Sequence, residues 1–186
     1  MKITKRKLRQ IIKESMQDEY KKRLREMFLG GEPEQALEIA KSMGMEDFLA
    51  RSTLIGGVDM TGIDLSGIDF TGADLRNMWL EEANLSGVNL SGAHLSGSLR
   101  RSNLTGGNLA GSNLFRAWLN DANLTDANMT DAYLAWAILK GANLTGANLT
   151  GADLTGADLT GANLTGADLA GIRYNEDTKW PEGFKS

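Results

Sequence analysis

The sequence predicts an all-β solenoid, a right-handed quadrilateral β-helix of nearly six coils, with an α-helical segment ahead of it. Two observations carry that prediction. An apolar residue recurs at every fifth position from Met60 through Leu65, Phe70, Leu75, Leu80, Leu85 and Leu90 to Leu95. After one four-residue step the series resumes at Leu99 and keeps its period to Leu169. Around each of these residues the pattern is also fixed: a small residue two positions earlier, Asn or Asp one earlier, then Ser/Thr and Gly. A period of five suits neither an amphipathic helix nor an alternating strand. It suits a square coil in which each unit forms one side and turns one corner. Leu and Ala then point inward, while Asn, Thr and Gly face out or make the turn, where Gly tolerates unusual dihedrals. The 23 units from Met60 to Leu169, at about 4.8 Å between stacked strands, predict a rod of roughly 28 Å.

These units resemble the pentapeptide-repeat family, whose pattern is a small residue, Asp/Asn, Leu/Phe, Ser/Thr/Arg, then Gly. The resemblance implies the fold. For function it implies a range that includes DNA mimics that protect topoisomerases. The ending from Tyr174 to Phe184 is similar to a tail that closes such repeats in bacterial members. In physical terms, Trp180 and Phe184 are expected to cover the last open Leu layer, since every solenoid needs a cap.

Four segments follow. Residues 1–29 form a basic amphipathic helical arm, 30–55 a short helical cap, 56–172 the β-helix and 173–186 a capping tail. Thr4 caps a helix whose apolar stripe is Leu8, Ile11, Ile12 and Met16. Gly30 and Gly31 break it, and Pro33 starts a second helix that stops at Gly44. The arm holds ten Lys/Arg against four Asp/Glu, whereas residues 56–186 hold eight against fifteen. A basic arm on an acidic body reads as an anchor built from Lys5, Arg6, Lys7, Leu8, Arg9, Ile11, Ile12 and Lys13. It would face a partner protein, nucleic acid or an anionic surface. Its opening, Met1 to Glu14, weakly resembles the starts of small phage-encoded proteins.

Signs of chemistry are few. The chain has no cysteine, so it offers no disulfide, thiolate nucleophile or thiolate metal ligand. His94, the single histidine, stands where an outward Asn or Asp belongs and reads as a surface replacement. Asp59, Asp64, Asp69 and Asp74 fall one per side and diverge, as do Asp121, Asp126 and Asp131 at successive corners. No enzyme activity, metal or cofactor is expected. No run of eighteen apolar residues supports a membrane-spanning helix, and no secretory signal is evident. The expected location is the cytoplasm, or a virion if the chain is phage-encoded.

Units four apart stack, so the sequence sorts into four columns. The first, through Leu65 and Leu85, carries Asp64 and then Asn84, Asn103, Asn123, Asn143 and Asn163, a ladder suited to amide hydrogen bonds. The second, through Phe70 and Leu90, is nearly as plain. The third carries His94, Asn113 and Tyr133, with Arg76, Phe115, Arg116 and Trp136 around them. The fourth carries Asp59, Trp79, Ser98, Trp118, Ile138 and Asp158, flanked by Glu81, Arg100, Asn120, Lys140, Glu82, Arg101 and Asp121. The first two columns keep their character across the step at Leu95, so the step is expected to shorten one side without losing it.

Aromatic residues interleaved with arginine at outward positions are the composition of an interface. The expected partner-binding residues are Trp79, Trp118, Ile138, Phe115, Tyr133, Trp136, Arg100, Arg101 and Arg116. The sequence thus points to a non-catalytic interaction or structural scaffold protein that binds another protein, with homo-oligomerisation open. The alternative is a DNA mimic that binds a type II topoisomerase. Mimicry calls for long carboxylate rows, and here Asn outnumbers Asp in the ladders.

Overall fold

The computed structural model describes residues 58–76 and 78–184. The arm, the helical cap and the anchoring residues Lys5 to Lys13 lie outside them.

The described chain winds through parallel pairings whose register is 20 residues, which is four units of five. β1 (Val58–Asp59) pairs in parallel with β2 (Met78–Trp79), Val58 with Met78 and Asp59 with Trp79. Beyond these two strands the sides are single bridges, such as Asp64 to Asn84 and Asn123 to Asn143. The reason is local. In each unit the Asn N–H donates to one neighbouring coil and its carbonyl accepts from the other, after which the chain must turn. Asn84 N–H reaches the Ile63 carbonyl at 2.8 Å, and the Leu65 N–H reaches the Asn84 carbonyl at 2.8 Å. The corner closes with an i to i+3 bond, for example Ala83 N–H to the Leu80 carbonyl at 3.2 Å.

The third residue of that turn has positive φ, the pattern of a type II turn, and Gly usually fills it. Among the described residues, seven corners instead place a side-chain-bearing residue there: Glu82, Arg101, Arg116, Asp121, Asp126, Asp131 and Trp136, all with φ between 55° and 60°. A left-handed backbone is uncommon outside Gly, and for a residue as bulky as Trp it is a real outlier. Five of these corners are consecutive, from Arg116 to Trp136, and each of the last four stacks on a glycine of the next coil. The side chains of Asp121, Asp126, Asp131 and Trp136 occupy the space a Cβ would need at Gly141, Gly146, Gly151 and Gly156.

The interior is a stack of leucines with alanines between them. From Met60 to Leu159 every central apolar residue is buried, as are the alanines two positions earlier. At Ser102 the hydroxyl in that narrow slot donates to the Leu99 carbonyl at 2.7 Å, which satisfies it without water. The expectation of an interior series throughout needs one correction. Leu164 and Leu169 are only half-buried, because no full coil follows them. Trp180 packs against this end of the core, with Phe184 stacked on it at 4.5 Å and Tyr174 edge-on at 5.5 Å. The final pairings, Asp153 with Arg173 and Asp158 with Lys179, cover only the third and fourth sides of the last coil.

The four-residue step behaves as a shortened side. Pairings across it fall to a register of 19, as in Trp79 to Ser98 and Asn84 to Asn103, and return to 20 at Ser98 to Trp118. The missing residue is the left-handed corner itself, since no residue between Leu95 and Leu99 has positive φ. The backbone is drawn in as a result, and a Cβ on Gly97 would collide with the Met78 carbonyl oxygen.

Candidate interaction surface

The four columns form two kinds of face. On the first, each Asn side chain folds back over its own turn, so that Asn84, Asn103, Asn123 and Asn143 are half-buried and not simply outward. Its carbonyl oxygen accepts the N–H and the hydroxyl of the Ser/Thr two residues on, at 3.2 and 2.7 Å for Asn103 and Thr105. This is an Asx turn, in which the side chain stands in for backbone. Amide nitrogens then link the coils, Asn84 to Asp64 at 3.1 Å and Asn143 to the Thr125 hydroxyl at 2.9 Å. The second face repeats this with Asn108 on Asn89 and Asn128 on Asn108, both at 3.1 Å. The amide ladder is therefore present. The turn bonds that outnumber it were not anticipated, although the Asn-x-Ser/Thr spacing holds the signal for them.

On the third and fourth faces that scheme is interrupted by the aromatic residues. Trp79 and Trp118 lie two coils apart on the fourth face and lean together over Ser98, ring centroids 6.5 Å apart and edge to face. Ser98 is buried beneath them, and its hydroxyl donates to Glu81 at 2.8 Å. These two indoles roof the place where the chain is one residue short. On the third face Phe115 and Tyr133 stack in parallel at 5.6 Å, and the Arg116 guanidinium sits 5.1 Å from the Phe115 ring centre. Trp136, at the corner between the two faces, lies flat on Gly156. Three atoms of its indole fall within 2.8 Å of where a Cβ on Gly156 would stand.

All six apolar residues were expected to be exposed. Trp118, Tyr133 and Trp136 are, at 45%, 39% and 47%. Trp79, Phe115 and Ile138 are half-buried, Trp79 and Phe115 because each stacks on an aromatic ring of another coil. Tyr174, 48% exposed, belongs to the tail cluster and was not singled out from the sequence. Arg100, Arg101 and Arg116 are all exposed. Arg101 pairs with Glu82 at 3.2 Å, and Arg116 spends its charge on the Phe115 ring.

Several other charges on these faces are paired. Arg76 grips Asp74 through Nε at 2.8 Å and Nη2 at 2.6 Å. That hydrogen bond lowers the Asp74 carboxyl to about 2. Burial works to raise Asp153 and Asp158, yet the Thr155 and Thr160 hydroxyls and amides, with Arg173 and Lys140, hold both below the usual carboxylate range. His94 is exposed. Among the described residues no group of three or more His, Cys, Asp or Glu converges as a metal site. No helix among them is long and apolar enough to cross a membrane.

A model of the pentapeptide repeats matches residues 55–87, 63–106, 80–117, 98–131, 108–146 and 137–173, in eight copies. The chain belongs to the pentapeptide-repeat family. The chain is also similar to several solved structures. One from the Arabidopsis thaliana thylakoid lumen is 35% identical over 54% of this chain and 68% of its own, with a TM-score of 0.35. Rfr23 from the cyanobacterium Cyanothece 51142 is 28% identical, covering 73% of this chain and 99% of its own, also at 0.35. QnrB1, a plasmid-mediated fluoroquinolone resistance protein, is 24% identical over 61% of this chain and 57% of its own, at 0.28. No curated protein matches this chain in sequence. Against the pentapeptide-repeat pattern, what sets this chain apart is the set of aromatic substitutions on two adjoining faces.

Proposed function

We propose that this pentapeptide-repeat protein is a non-catalytic scaffold that binds protein through its third and fourth faces. The observation that carries the reading is the exposure of Trp118, Tyr133 and Trp136 around one edge of the solenoid. The other two faces are occupied by side chains hydrogen-bonded to their own turns and to neighbouring coils. Large rings left in water beside arginines are the composition of an interface centre, where Trp, Tyr and Arg contribute most of the binding energy. The basic segment 1–29 adds an anchoring element to this reading on its charge alone. DNA mimicry draws less support, because amides fill the central rungs of both ladders where phosphate-like carboxylates would be needed.

The test is affinity capture from the native host with the full chain and with Trp118→Ser combined with Trp136→Ser. The expected result is loss of the captured partner while the melting temperature holds, since both rings are about half in water. Unchanged capture would withdraw the surface. A collapse of the fold would make these rings structural.

A further inference from the structure

The charges and rings of the fourth face are arranged about its middle, and this arrangement names a partner. The reading rests on the interaction surface proposed above and identifies what occupies it. Successive coils place Trp79, Ser98, Trp118 and Ile138 in one row. Beside it runs a row whose carbonyls accept the corner N–H groups in turn: Glu81 from Gly62, Arg100 from Glu82, Asn120 from Arg101 and Lys140 from Asp121. The corner row itself is Glu82, Arg101, Asp121 and Gly141.

Consider a two-fold axis lying across this face, midway between the coils of Ser98 and Trp118. It brings each coil opposite its mirror position on a second copy. Glu81 then faces the partner's Lys140, and Arg101 faces the partner's Asp121, each contact occurring twice. The exposed Trp118 meets the partner at the coil of Ser98, where the partner's Trp79 and Trp118 rings close over the drawn-in side. Trp79 meets the partner's Ile138. Asp121 has no ion-pair or hydrogen-bond partner for its carboxylate among the described residues, and the corner arginine pairs only through an exposed bridge to Glu82, which is worth little where it stands.

Repulsion disfavours the two neighbouring registers. With the axis on the coil of Trp118, Arg100 would face Lys140 and Asp121 would face its own copy. With the axis on the coil of Ser98, Arg101 would face its own copy and Glu82 would face Asp121. Like charges in contact are the strongest discriminator between registers. We infer that the fourth face is a self-recognition surface on which a second copy docks antiparallel, with Arg101 against Asp121 and Trp118 against the indoles that cover Ser98.

Sedimentation velocity of the full chain over a concentration series tests this. The wild type is expected to show a monomer–dimer equilibrium. Arg101→Asp and Asp121→Arg should each weaken it about tenfold or more, because each sets like charges opposite twice. Combining the two should restore it. Both positions already carry side chains at positive φ, so the exchange adds no new backbone demand, and circular dichroism checks the fold. Because the chain lacks cysteine, an equimolar mixture of Arg100→Cys and Asn120→Cys, positions this register sets opposite one another, gives a second measurement that leaves both ion pairs intact. Oxidation should yield a disulfide-linked dimer, whereas Thr105→Cys on the first face should not. A wild type that stays monomeric, single reversals without effect, or a double reversal that fails to restore association overturns the inference. A monomer that still loses its captured partner through Trp118→Ser and Trp136→Ser would overturn self-recognition alone and leave the interaction surface standing.

Discussion

The ladder faces and the aromatic faces surround the same core and solve the same backbone problem with different side chains. On the ladder faces each Asn accepts from its own turn, and most of the amides reach a neighbouring coil, so side chain and backbone reinforce one another. On the aromatic faces Tyr133, Trp118 and Ile138 sit at the Asn position and offer no such acceptor. The backbone nevertheless continues unbroken: Tyr133 N–H still reaches the Ser112 carbonyl at 2.9 Å and Ile138 N–H the Ala117 carbonyl at 2.9 Å. The lesson is that the coil is specified from inside, by Leu and Ala. The Asx turns are an added stabilisation that two faces can give up, and those two faces are free to carry other chemistry.

The largest test of that view lies in the core. Leu124 backs the first face and Leu134 the third, and both are fully buried. Truncation of either to Ala should cost about 2–5 kcal/mol through lost burial and a residual cavity, and the two losses should be similar. Denaturant unfolding measures both. A markedly smaller loss at Leu134 would mean that the aromatic faces are held from outside, and the comparison would break.

A smaller effect is expected at the corners. Gly156 lies under the Trp136 indole, whereas Gly161, at similar φ, has only the distant Gly141 backbone nearby. Gly161→Ala should show the left-handed penalty alone, about 1–2 kcal/mol. Gly156→Ala should cost more, because the ring must also move. Removing the ring with Trp136→Gly should bring the two costs together in thermal melts, and a persistent difference would assign it to something other than the stacked indole.

The smallest effect is a pH dependence at Asp74 on the third face. A carboxylate whose folded pKa is depressed contributes stability above its usual pKa and loses that contribution as pH falls through the folded value. For Asp74 that window runs from 3.8 down to about 2. Asp74→Asn should therefore flatten the acid limb of the stability profile slightly, since the Arg76 pair is exposed and screened. The equivalent amide-to-alanine change at Asn143 should lower stability equally at every pH. An Asn143 effect that varied with acid would contradict the division between the faces.

Much of this was legible beforehand. The five-residue period, the sorting into columns and the shortened side follow from counting, because a solenoid converts sequence spacing directly into position. Three things were not. The half-buried Asn and Thr side chains reflect hydrogen bonds within the turn, which an inward-or-outward pattern does not distinguish. Leu164 and Leu169 carry the same motif as Leu124, and only the absence of a following coil leaves them partly open. Trp79 and Phe115 occupy outward positions, yet stacking across coils withdraws them from water.

By itself, then, the sequence determined the fold, its coil count and the column in which every residue stands, since each five-residue unit repeats one local solution. The tertiary structure decided which outward residues are available to a partner. That outcome depends on rings one or two coils apart, on the glycine beneath Trp136 and on the dent at Gly97, contacts that arise only when residues about twenty positions apart are brought to strand spacing.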